Sequence, residues 1–486
     1  MTESDITRAA LADLDALIAQ RKAPKPKQPP QKRWPPTDAG NALCLARLYG
    51  HVLRFVHGPD LWRLWSGRHW ADDAANRADV FALDVAGHRL REAAAMTGPA
   101  ADQHLRWALA STSVSRRRAT LVAASTMLPF TTSLEDYDRD PLLLNCGNGL
   151  LDLRSAHLRP HDSAALLSKL APVDYLPDAP CPRWEQFLAQ VFLGDSDLIA
   201  FSRRLLGYLL TGDTREQAAF FLVGKGANGK TVFVETLRSL LGGYAANAPA
   251  AAFLGSGDSP TELLSFLGAR LVTASEGAAS QVLNEALFKR LTGGDLLTSR
   301  RPRHQPFSYS PSFKLLFATN EMPRLPSQSY ALQRRAFVLP FRQTFYGPAD
   351  GKTPLRDETL RDSLARELPG ILAWAVSGCL EWQQHGLQPP PAVMQETDAV
   401  LDAQDPLAAF LSACCTQDPQ AQVETGRLWQ AYLSWCAAQS QPPACKSPTW
   451  FIRNLTQRHG LDLLRRHSGR FVVGLGLLPQ SSGDKQ

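Results

Sequence analysis

Nowhere in its 486 residues does the chain carry a run of about 18 uninterrupted apolar residues, so no segment has the makings of a membrane-spanning helix. No basic-then-apolar leader opens it, and secretion is not expected. Cysteine is sparse and scattered. The eight thiols (Cys44, Cys146, Cys181, Cys379, Cys414, Cys415, Cys436 and Cys445) form no Cys-x-x-Cys pair and have no histidine at zinc-ligand spacing. This excludes a zinc-finger or disulfide-framework protein and fits reduced thiols in a cytosol. A strong charge of one sign is missing too. The 52 Lys and Arg against 46 Asp and Glu leave a net +6, compatible with a polyanionic partner without demanding one. The 44% hydrophobic and 20% charged fractions are those of a globular chain, long enough for about two to four domains with cores of their own.

What is present is "FFLVGKGANGKTVFVETLRSLLGGYA", opening at Phe220. Within it, Gly224, Lys225, Gly226, Ala227, Asn228, Gly229, Lys230 and Thr231 spell Gly-x-x-x-x-Gly-Lys-[Ser/Thr]. Glycines let successive backbone N–H groups converge on phosphate oxygens, and a helix starting near Lys230 adds its positive end. Lys230 is expected to bridge the β- and γ-phosphates of ATP, and Thr231 to offer its hydroxyl to Mg²⁺. The flanks agree: "AAFFLV" reads as a buried strand, and Val232, Leu237 and Leu240 recur with helical spacing.

Around this loop the chain divides by composition. Residues 1–36 form a basic, Pro-rich tail. In it "RKAPKPKQPPQKRWPP" can make neither helix nor sheet and reads as a linker or a phosphate-binding arm, after a short helix carrying Leu11, Leu14, Leu17 and Ile18 on one face. Residues 37–195 look mixed α/β, with hairpins turning at Ser66-Gly67 and Gly147-Asn148-Gly149. The Asp136/Asp138 pair in "LEDYDRDP" reads as an Asp-rich turn rather than a two-metal site, since its flanks are polar. Residues 196–345 hold the ATPase core, 346–405 a helical connector, and 406–486 a C-terminal unit after the Pro break in "DAQDPLAAF".

Downstream of the loop, "LGARLVTASEG" is an apolar strand ending at Glu276, about 45 residues past Thr231. In phosphate-loop enzymes the strand beside the loop ends in the acid that serves Mg²⁺ and the attacking water, so Glu276 takes that role. "FKLLFATNEMPRLP" is a second such strand, and Asn320 at its end suits a γ-phosphate and water sensor. Arg334 and Arg335 precede a third, "AFVLPF", where a neighbouring subunit could meet the nucleotide. "TSRRPRHQPFSYSPSF" reads as a hairpin whose tip carries Arg300, Arg301, Arg303 and His304, suited to gripping phosphates. Near the C-terminus, "GRLWQAYLSWCAAQ", "SPTWFIRNLTQRHG" and "LDLLRRHSGRFVVGLGL" read as helix, helix and β-hairpin, the layout of a winged helix. Thr449, Arg453, Asn454 and Arg458 would face duplex DNA from the second helix, with Arg465, Arg466 and Arg470 on the wing; a protein-docking module is the other reading.

"GKGANGKT", "ASE", "NEALFKRLTGGDLLTSRR", "KLLFATNEMPR" and "QRRAFVLPF", in that order, resemble the superfamily 3 helicase core of the phage and plasmid primase–helicase family, of which the poxvirus primase–helicase is a distant member. "TDAGNALCLARLYG", "LLLNCGNGLLDL" and "CPRWEQFLAQVFLGD" resemble the region ahead of that core, so the likeness runs from about Thr37 to about Leu478. It implies an α/β protein: an AAA+-like P-loop NTPase core, an N-terminal α/β region and a C-terminal winged-helix domain. It also implies an ATP- and Mg²⁺-dependent helicase that forms a hexameric ring around single-stranded DNA and moves 3′ to 5′. Such a protein would start replication of a mobile element in a bacterial cytosol, with no membrane partner. On that pattern Lys230 and Thr231 are the Walker A pair, Glu276 is the Walker B acid and Asn320 the sensor. Arg334 or Arg335 is the arginine finger. Two departures stand out. Ser329 and Gln333 replace an Asp and a Trp usual before the paired arginines, which leaves the finger open between the two. Only about 36 residues precede the shared region, too few for a polymerase fold, so primer synthesis is expected from a separate primase. An ATP-regulated origin-binding or loading factor is the alternative function; a P-loop kinase fits the motif order less well.

Overall fold

A computed structural model of the chain describes residues 34–253, 263–275, 282–300, 305–323, 334–345, 357–403, 406–439, 443, 445, 447–458, 460–467 and 469–478. Residues 1–33 of the basic tail, with the expected helix, lie outside them. The chain forms two compact units, one of residues up to Phe55 plus Asp73–Thr131, the other of Val56–Asp72 and everything from Thr132 onward. Residues 37–195 contribute to both units.

The first unit is helical: α1 (Asp38–Tyr49), α2 (Arg77–Ala94), α3 (Pro99–Ala110) and α4 (Val114–Ser125). Thr37 starts α1 by accepting from Gly40 N at 3.0 Å, satisfying one of the helix's orphan donors. A buried amide then joins three of the helices. Asn41 donates to Ser111 Oγ at 2.9 Å and accepts from the Trp107 indole at 3.2 Å, and Thr120 on α4 lies 3.4 Å away.

In the second unit two hairpins match the turns read from sequence. β1 (Leu61–Trp65) pairs with β2 (Trp70–Asp72), and β3 (Leu143–Cys146) with β4 (Gly149–Asp152), which also pairs with β5 (His157–Arg159). "LEDYDRDP" is a turn. Asp136 accepts from Ser133 N at 2.7 Å, which together with the Ser133 hydroxyl holds its carboxyl below the usual range, while Asp140 engages Arg154 through two bonds of 2.7 and 2.9 Å. α5 (Pro182–Val191) and α6 (Ser196–Leu209) come next.

The centre is a parallel sheet of β6 (Ala219–Val223), β7 (Ala245–Pro249), β8 (Leu271–Ser275), β11 (Lys314–Thr319) and β12 (Ala336–Pro340), with the antiparallel pair β9 (Leu297–Ser299) and β10 (Phe307–Tyr309) between β8 and β11 in sequence. Its spatial order is β12-β6-β11-β8-β7. Continuous apolar runs such as Ala219–Val223 are what a sheet covered on both faces requires. Side chains alternate accordingly: Phe220 and Leu222 join one core cluster, Ala219 and Phe221 the other. α5, α6, α7 (Lys230–Leu241) and the later helix α10 (Leu368–His385) pack on the first face, and α8 (Glu285–Gly293) on the second. The order corrects one expectation. β8, which leads to Glu276, is not beside the loop strand; β11 lies between them.

The segments before and after the sheet are locked together. A Cβ on Gly207 of α6 would overlap the backbone of Cys379, and one on Gly378 the backbone of Arg203, so α6 and α10 lie backbone against backbone. Glu367, just ahead of α10, caps α5 by accepting from Arg183 N and Trp184 N at 3.0 Å. At the opposite end of α6, cations close the last turn. Lys314 donates to Thr211 O and lies 4.7 Å from the Tyr208 ring, while Arg270 donates to Leu210 O and Leu143 O over the Tyr244 ring.

α9 (Leu360–Arg366) and α11 (Pro391–Ala403) complete the connector. Beyond it, α12 (Pro406–Cys414), β13 (Cys415–Glu424), α13 (Thr425–Ala438), α14 (Pro448–Arg458), β14 (Asp462–Arg466) and β15 (Gly469–Leu477) enclose a core of their own around Phe410, Tyr432 and Phe451. The two helices and the hairpin stand as read, and α12 and β13 are additions, β13 making the hairpin a three-stranded sheet in the order β13-β15-β14. The eight cysteines are free thiols, and no helix among the described residues is long and apolar enough to cross a membrane.

Candidate functional site

The loop Gly224–Gly229 leaves the carboxyl end of β6 and enters α7 at Lys230. Its turns need left-handed backbone: φ is +95° at Gly226, +45° at Ala227 and +88° at Gly229. Glycine at 229 also answers a packing demand. A Cβ there would stand 3.0 Å from Phe187 and 3.1 Å from Val191, so α5 rests directly on the loop. The far side is tied to the residues just beyond β12. Asn228 Nδ2 donates to Phe341 O at 3.1 Å, and Phe345 N donates to Ala227 O at 2.8 Å.

Lys230 is buried, and its ammonium donates to Gly224 O at 2.5 Å, Asn228 Oδ1 at 3.1 Å and Asn320 Oδ1 at 3.2 Å. Asn320 reaches it because β11 is the strand next to β6, with Thr319 in register with Val223. Two residues ninety positions apart thus meet at the carboxyl ends of adjacent strands, where parallel sheets bind ligands. Thr231 is exposed one position on. It lines the same cavity as Lys230, so its hydroxyl is available to a ligand or a metal ion there.

Over the loop opens a cavity of about 460 Å³, a size usual for small-molecule sites. Gly226–Val232 and Ala318–Asn320 form its floor. Arg183, Phe187 and Gln190 of α5 line one wall, and Phe345, Asp357, Glu358, Leu360 and Arg361 the other. Two ion pairs bracket it, Arg183 to Asp357 at 2.5 Å and Arg361 to Glu235 at 3.0 Å. Sequence reasoning missed these walls. The signal was available: Arg183, Phe187 and Gln190 recur at helical spacing on one face, but nothing local says that this face turns toward a loop some forty residues on.

Arg334 and Arg335 precede β12, whose parallel pairing sets Ala336 beside Ala219. They therefore sit at the amino end of the strands, opposite the loop. Arg335 is held within its own chain, donating to Lys289 O at 3.2 Å, Thr292 Oγ1 at 3.4 Å and Gln217 Oε1 at 3.2 Å. Its burial and the neighbouring Arg334 push its pKa down. Arg334 is exposed.

Other sequence-named positions are scattered. Glu276 lies outside the described residues. So do Arg301, Arg303 and His304, although β9 and β10 pair as the base of the expected hairpin, with Arg300 exposed beside it. In the C-terminal unit Thr449 and Arg453 are exposed on α14, and Arg465, Arg466 and Arg470 are exposed on the hairpin. Arg466 lies over the Phe471 ring at 5.8 Å, Asn454 donates to Trp450 O at 2.9 Å, and the Arg458 side chain lies outside the described residues.

Residues 42–193 match the "D5 N terminal like" family, and residues 222–335 a family of unknown function, DUF5906. The chain is 26% identical over 282 residues to "Putative helicase L207/L206" of Acanthamoeba polyphaga mimivirus, covering 54% of this chain and 29% of that protein. It is 24% identical over 390 residues to "Putative helicase 022R" of Frog virus 3 (isolate Goorha), covering 64% and 40%. The chain therefore spans well under half the length of either relative. Its fold is similar to the A form apo structure of the NrS-1 C terminal region, with a TM-score of 0.51 and 11% identity over 90% of this chain and 100% of that one. Residues 42–193 therefore carry a D5 N terminal like domain, a domain of helicase–primase proteins, and the curated relatives are named putative helicases.

Proposed function

We propose that the chain is an ATP-dependent replicative DNA helicase of the superfamily 3 type, acting as a ring that moves 3′ to 5′. Its place would be replication initiation of a phage, plasmid or other mobile element in a bacterial cytosol, beside a separate primase. The observation that carries this reading is the meeting of Lys230 and Asn320 at 3.2 Å beneath a glycine loop, on adjacent parallel strands. The sheet order supports an AAA+-like P-loop core, because the loop strand is flanked by the sensor strand on one side and the arginine-bearing strand on the other.

In this reading the phosphates of ATP replace the neutral oxygens now holding Lys230, and the loop N–H groups take up the rest of their charge. Thr231 would help to hold Mg²⁺ through its hydroxyl, and the ion would supply charge neutralisation to the phosphates. Asn320 then faces the γ-phosphoryl group and orients water, while Glu276 accepts its proton. Arg334, exposed at the amino end of the sheet, serves a neighbouring subunit's site. The hairpin tip with Arg300, Arg301, Arg303 and His304 grips single-stranded DNA in the channel of a homo-hexamer.

One observation favours a second reading, an ATP-regulated origin-binding or loading factor. The C-terminal helix–strand–helix–helix–strand–strand unit exposes Arg453, Arg465, Arg466 and Arg470, which suits a winged helix on duplex DNA. A strand-displacement assay on a forked duplex with a 3′ tail separates the two. A helicase releases the labelled strand with ATP, and its Lys230→Ala variant does not. A loading factor hydrolyses ATP and binds the duplex but releases nothing.

A further inference from the structure

A second group of cationic side chains gathers outside the phosphate loop, between the β1–β2 hairpin and the segment after β5. Backbone bonds hold the two side by side. Trp70 N donates to Leu167 O at 2.9 Å, and the Asn145 amide donates to Arg68 O at 2.8 Å and to Lys169 O at 3.1 Å. Residues 68–70 and 167–169 therefore run alongside each other, which sets His69 beside Ser168 and Lys169. Arg63 belongs to the same hairpin, in register with Asp72 and 4.3 Å over the Tyr137 ring.

Lys169 is built into place. Ser168 anchors the chain just ahead of it, donating to Asp138 from N at 3.0 Å and from Oγ at 2.5 Å. The lysine stem then crosses the amino ends of β7 and β8. A Cβ on Gly268 would stand 2.9 Å from Lys169 Cε, and one on Gly243 would stand 3.8 Å from Lys169 Cβ, so only glycine at 268 leaves the stem its path. Yet the ammonium has neither a hydrogen bond nor an ion pair among the described residues. Arg63, 3% exposed, uses Nε on Asp72 at 2.8 Å and leaves Nη1 buried without a partner. His69 meets Ser66 Oγ through Nδ1 at 3.0 Å and has no partner at Nε2. The two carboxylates of the neighbourhood are engaged, Asp72 by Arg63 and Asp138 by Ser168. Burial, above all, pushes the pKa of Lys169 and of His69 down. The Lys169 charge adds to this at His69, and the Arg63 charge at both, while Asp138 opposes it.

Donors of like charge, fixed by the backbone and lacking acceptors, are what an oxyanion requires, and the several oxygens of a phosphate can meet donors from different directions at once. We infer that Arg63, His69 and Lys169 line a phosphate-binding crevice, filled by a phosphate of a nucleic-acid backbone or by a free phosphate ion. His69 and Lys169 are half-buried, so the crevice is open to solvent on their side. It lies at the amino ends of β7 and β8, whereas Lys230 serves the carboxyl end of β6, so it does not rest on the phosphate-loop reading. It gives the region ahead of the sheet a ligand of its own.

The test uses the full chain carrying Lys230→Ala, so that phosphate taken up at the loop does not mask the crevice. Thermal melts in inorganic phosphate and in chloride at equal ionic strength read the free ion, and anisotropy of a labelled single-stranded oligonucleotide at several salt concentrations reads the backbone. Adding Lys169→Met should leave the midpoint in chloride unchanged or higher, since the ammonium has no partner to lose. If the free ion is the ligand, phosphate raises the midpoint before that change and not after it. If the backbone is the ligand, oligonucleotide affinity falls about tenfold and the salt slope shrinks by about 1. His69→Gln, acting from the opposite wall, should weaken the same ligand about threefold and keeps the test open should Lys169→Met not fold. Phosphate stabilisation and oligonucleotide affinity that both survive these substitutions in folded protein refute the crevice. A midpoint in chloride that Lys169→Met lowers, with both ligands unaffected, makes the lysine a structural strut.

Discussion

The Lys230 ammonium and the Asn320 carboxamide are 3.2 Å apart, joined across the ends of two neighbouring strands that are ninety residues distant in sequence. Because Asn320 touches the lysine that would face the phosphates, it is placed to respond to the terminal phosphate without holding the nucleotide's other parts. Asn320→Ala should lower kcat for ATP about 10²-fold while the Kd for ATP changes only a few-fold, read by steady-state turnover and calorimetry on the same preparation. Loss of binding equal to the loss of turnover would make Asn320 a loop support rather than a sensor.

Gly229 carries two demands at once, a φ of +88° and the close approach of Phe187 at 3.0 Å from the Cβ position. Gly229→Ala should therefore cost about 1–3 kcal/mol, seen as a lower thermal midpoint, and should abolish nucleotide binding by displacing the loop from α5. Phe187→Ala alone removes a buried ring and should cost about 3–5 kcal/mol, but in the Gly229→Ala background it should cost less, because it also relieves the packing half of the penalty. Strictly additive losses would leave backbone strain as the whole cause.

Arg334 and Arg335 are neighbours with opposite surroundings. Arg335→Ala removes bonds to Lys289, Thr292 and Gln217 and should lower the thermal midpoint by a few degrees. Arg334→Ala should leave the midpoint unchanged and reduce ATP turnover about 10³-fold or more if the residue reaches a neighbour's γ-phosphate. Mixing Arg334→Ala with Lys230→Ala subunits should restore some turnover, because a few interfaces then pair an intact lysine with an intact arginine. No recovery from rings shown to exchange subunits would assign Arg334 a role within its own chain.

Lys314 provides a pH signature. It is fully buried, and burial first, then the nearby Arg270 charge, push its pKa well below the ordinary 10.5, with Asp213 and Cys379 opposing. An unfolded lysine keeps its proton up to that ordinary value, whereas the folded one releases it earlier. The unfolded state therefore binds more protons between the two pKa values, and stability rises with pH across that window. The favourable contribution is fully present above the unfolded pKa and is lost as pH falls through the folded one. Compared with Lys314→Met, which cannot titrate, the wild type should gain up to about 1.4 kcal/mol per pH unit on the way toward pH 10. Parallel denaturant melts of the two proteins at several pH values measure this difference, and a constant gap would show that Lys314 keeps its proton when folded.

Much of the centre was legible. The apolar runs before Gly224, Glu276, Asn320 and after Arg335 declare themselves as strands because a sheet covered on both faces tolerates little else. The glycines of the loop are explicit for a local reason, the backbone angles they permit. Strand order was not legible, since Leu271–Ser275 and Lys314–Thr319 are equally apolar and nothing in either run says which lies beside β6. The cavity walls escaped for a similar reason. Phe187 and Gln190 belong to an amphipathic helix of ordinary appearance, and only tertiary packing turns them toward Gly229. Arg335 read as half of a functional pair because its three acceptors are supplied by α8 and Gln217, neither adjacent to it in sequence.

The capping of α5 by Glu367, with the glycine contact between α6 and α10, also decides how such a gene can be cut and recombined. A fragment bounded at residues 196 and 345 contains every motif of the expected ATPase core, yet it lacks α5, the carboxylate that finishes it and the helix that covers Leu205 and Leu206. Freed of its partners, that face of α6 would present apolar surface to water and associate with other chains. The smallest inheritable piece of this machine is therefore larger than its motifs. It reaches back to the hairpin at Leu143 and forward through α11, and recombination between relatives should preserve that whole span even where the ends on either side are exchanged.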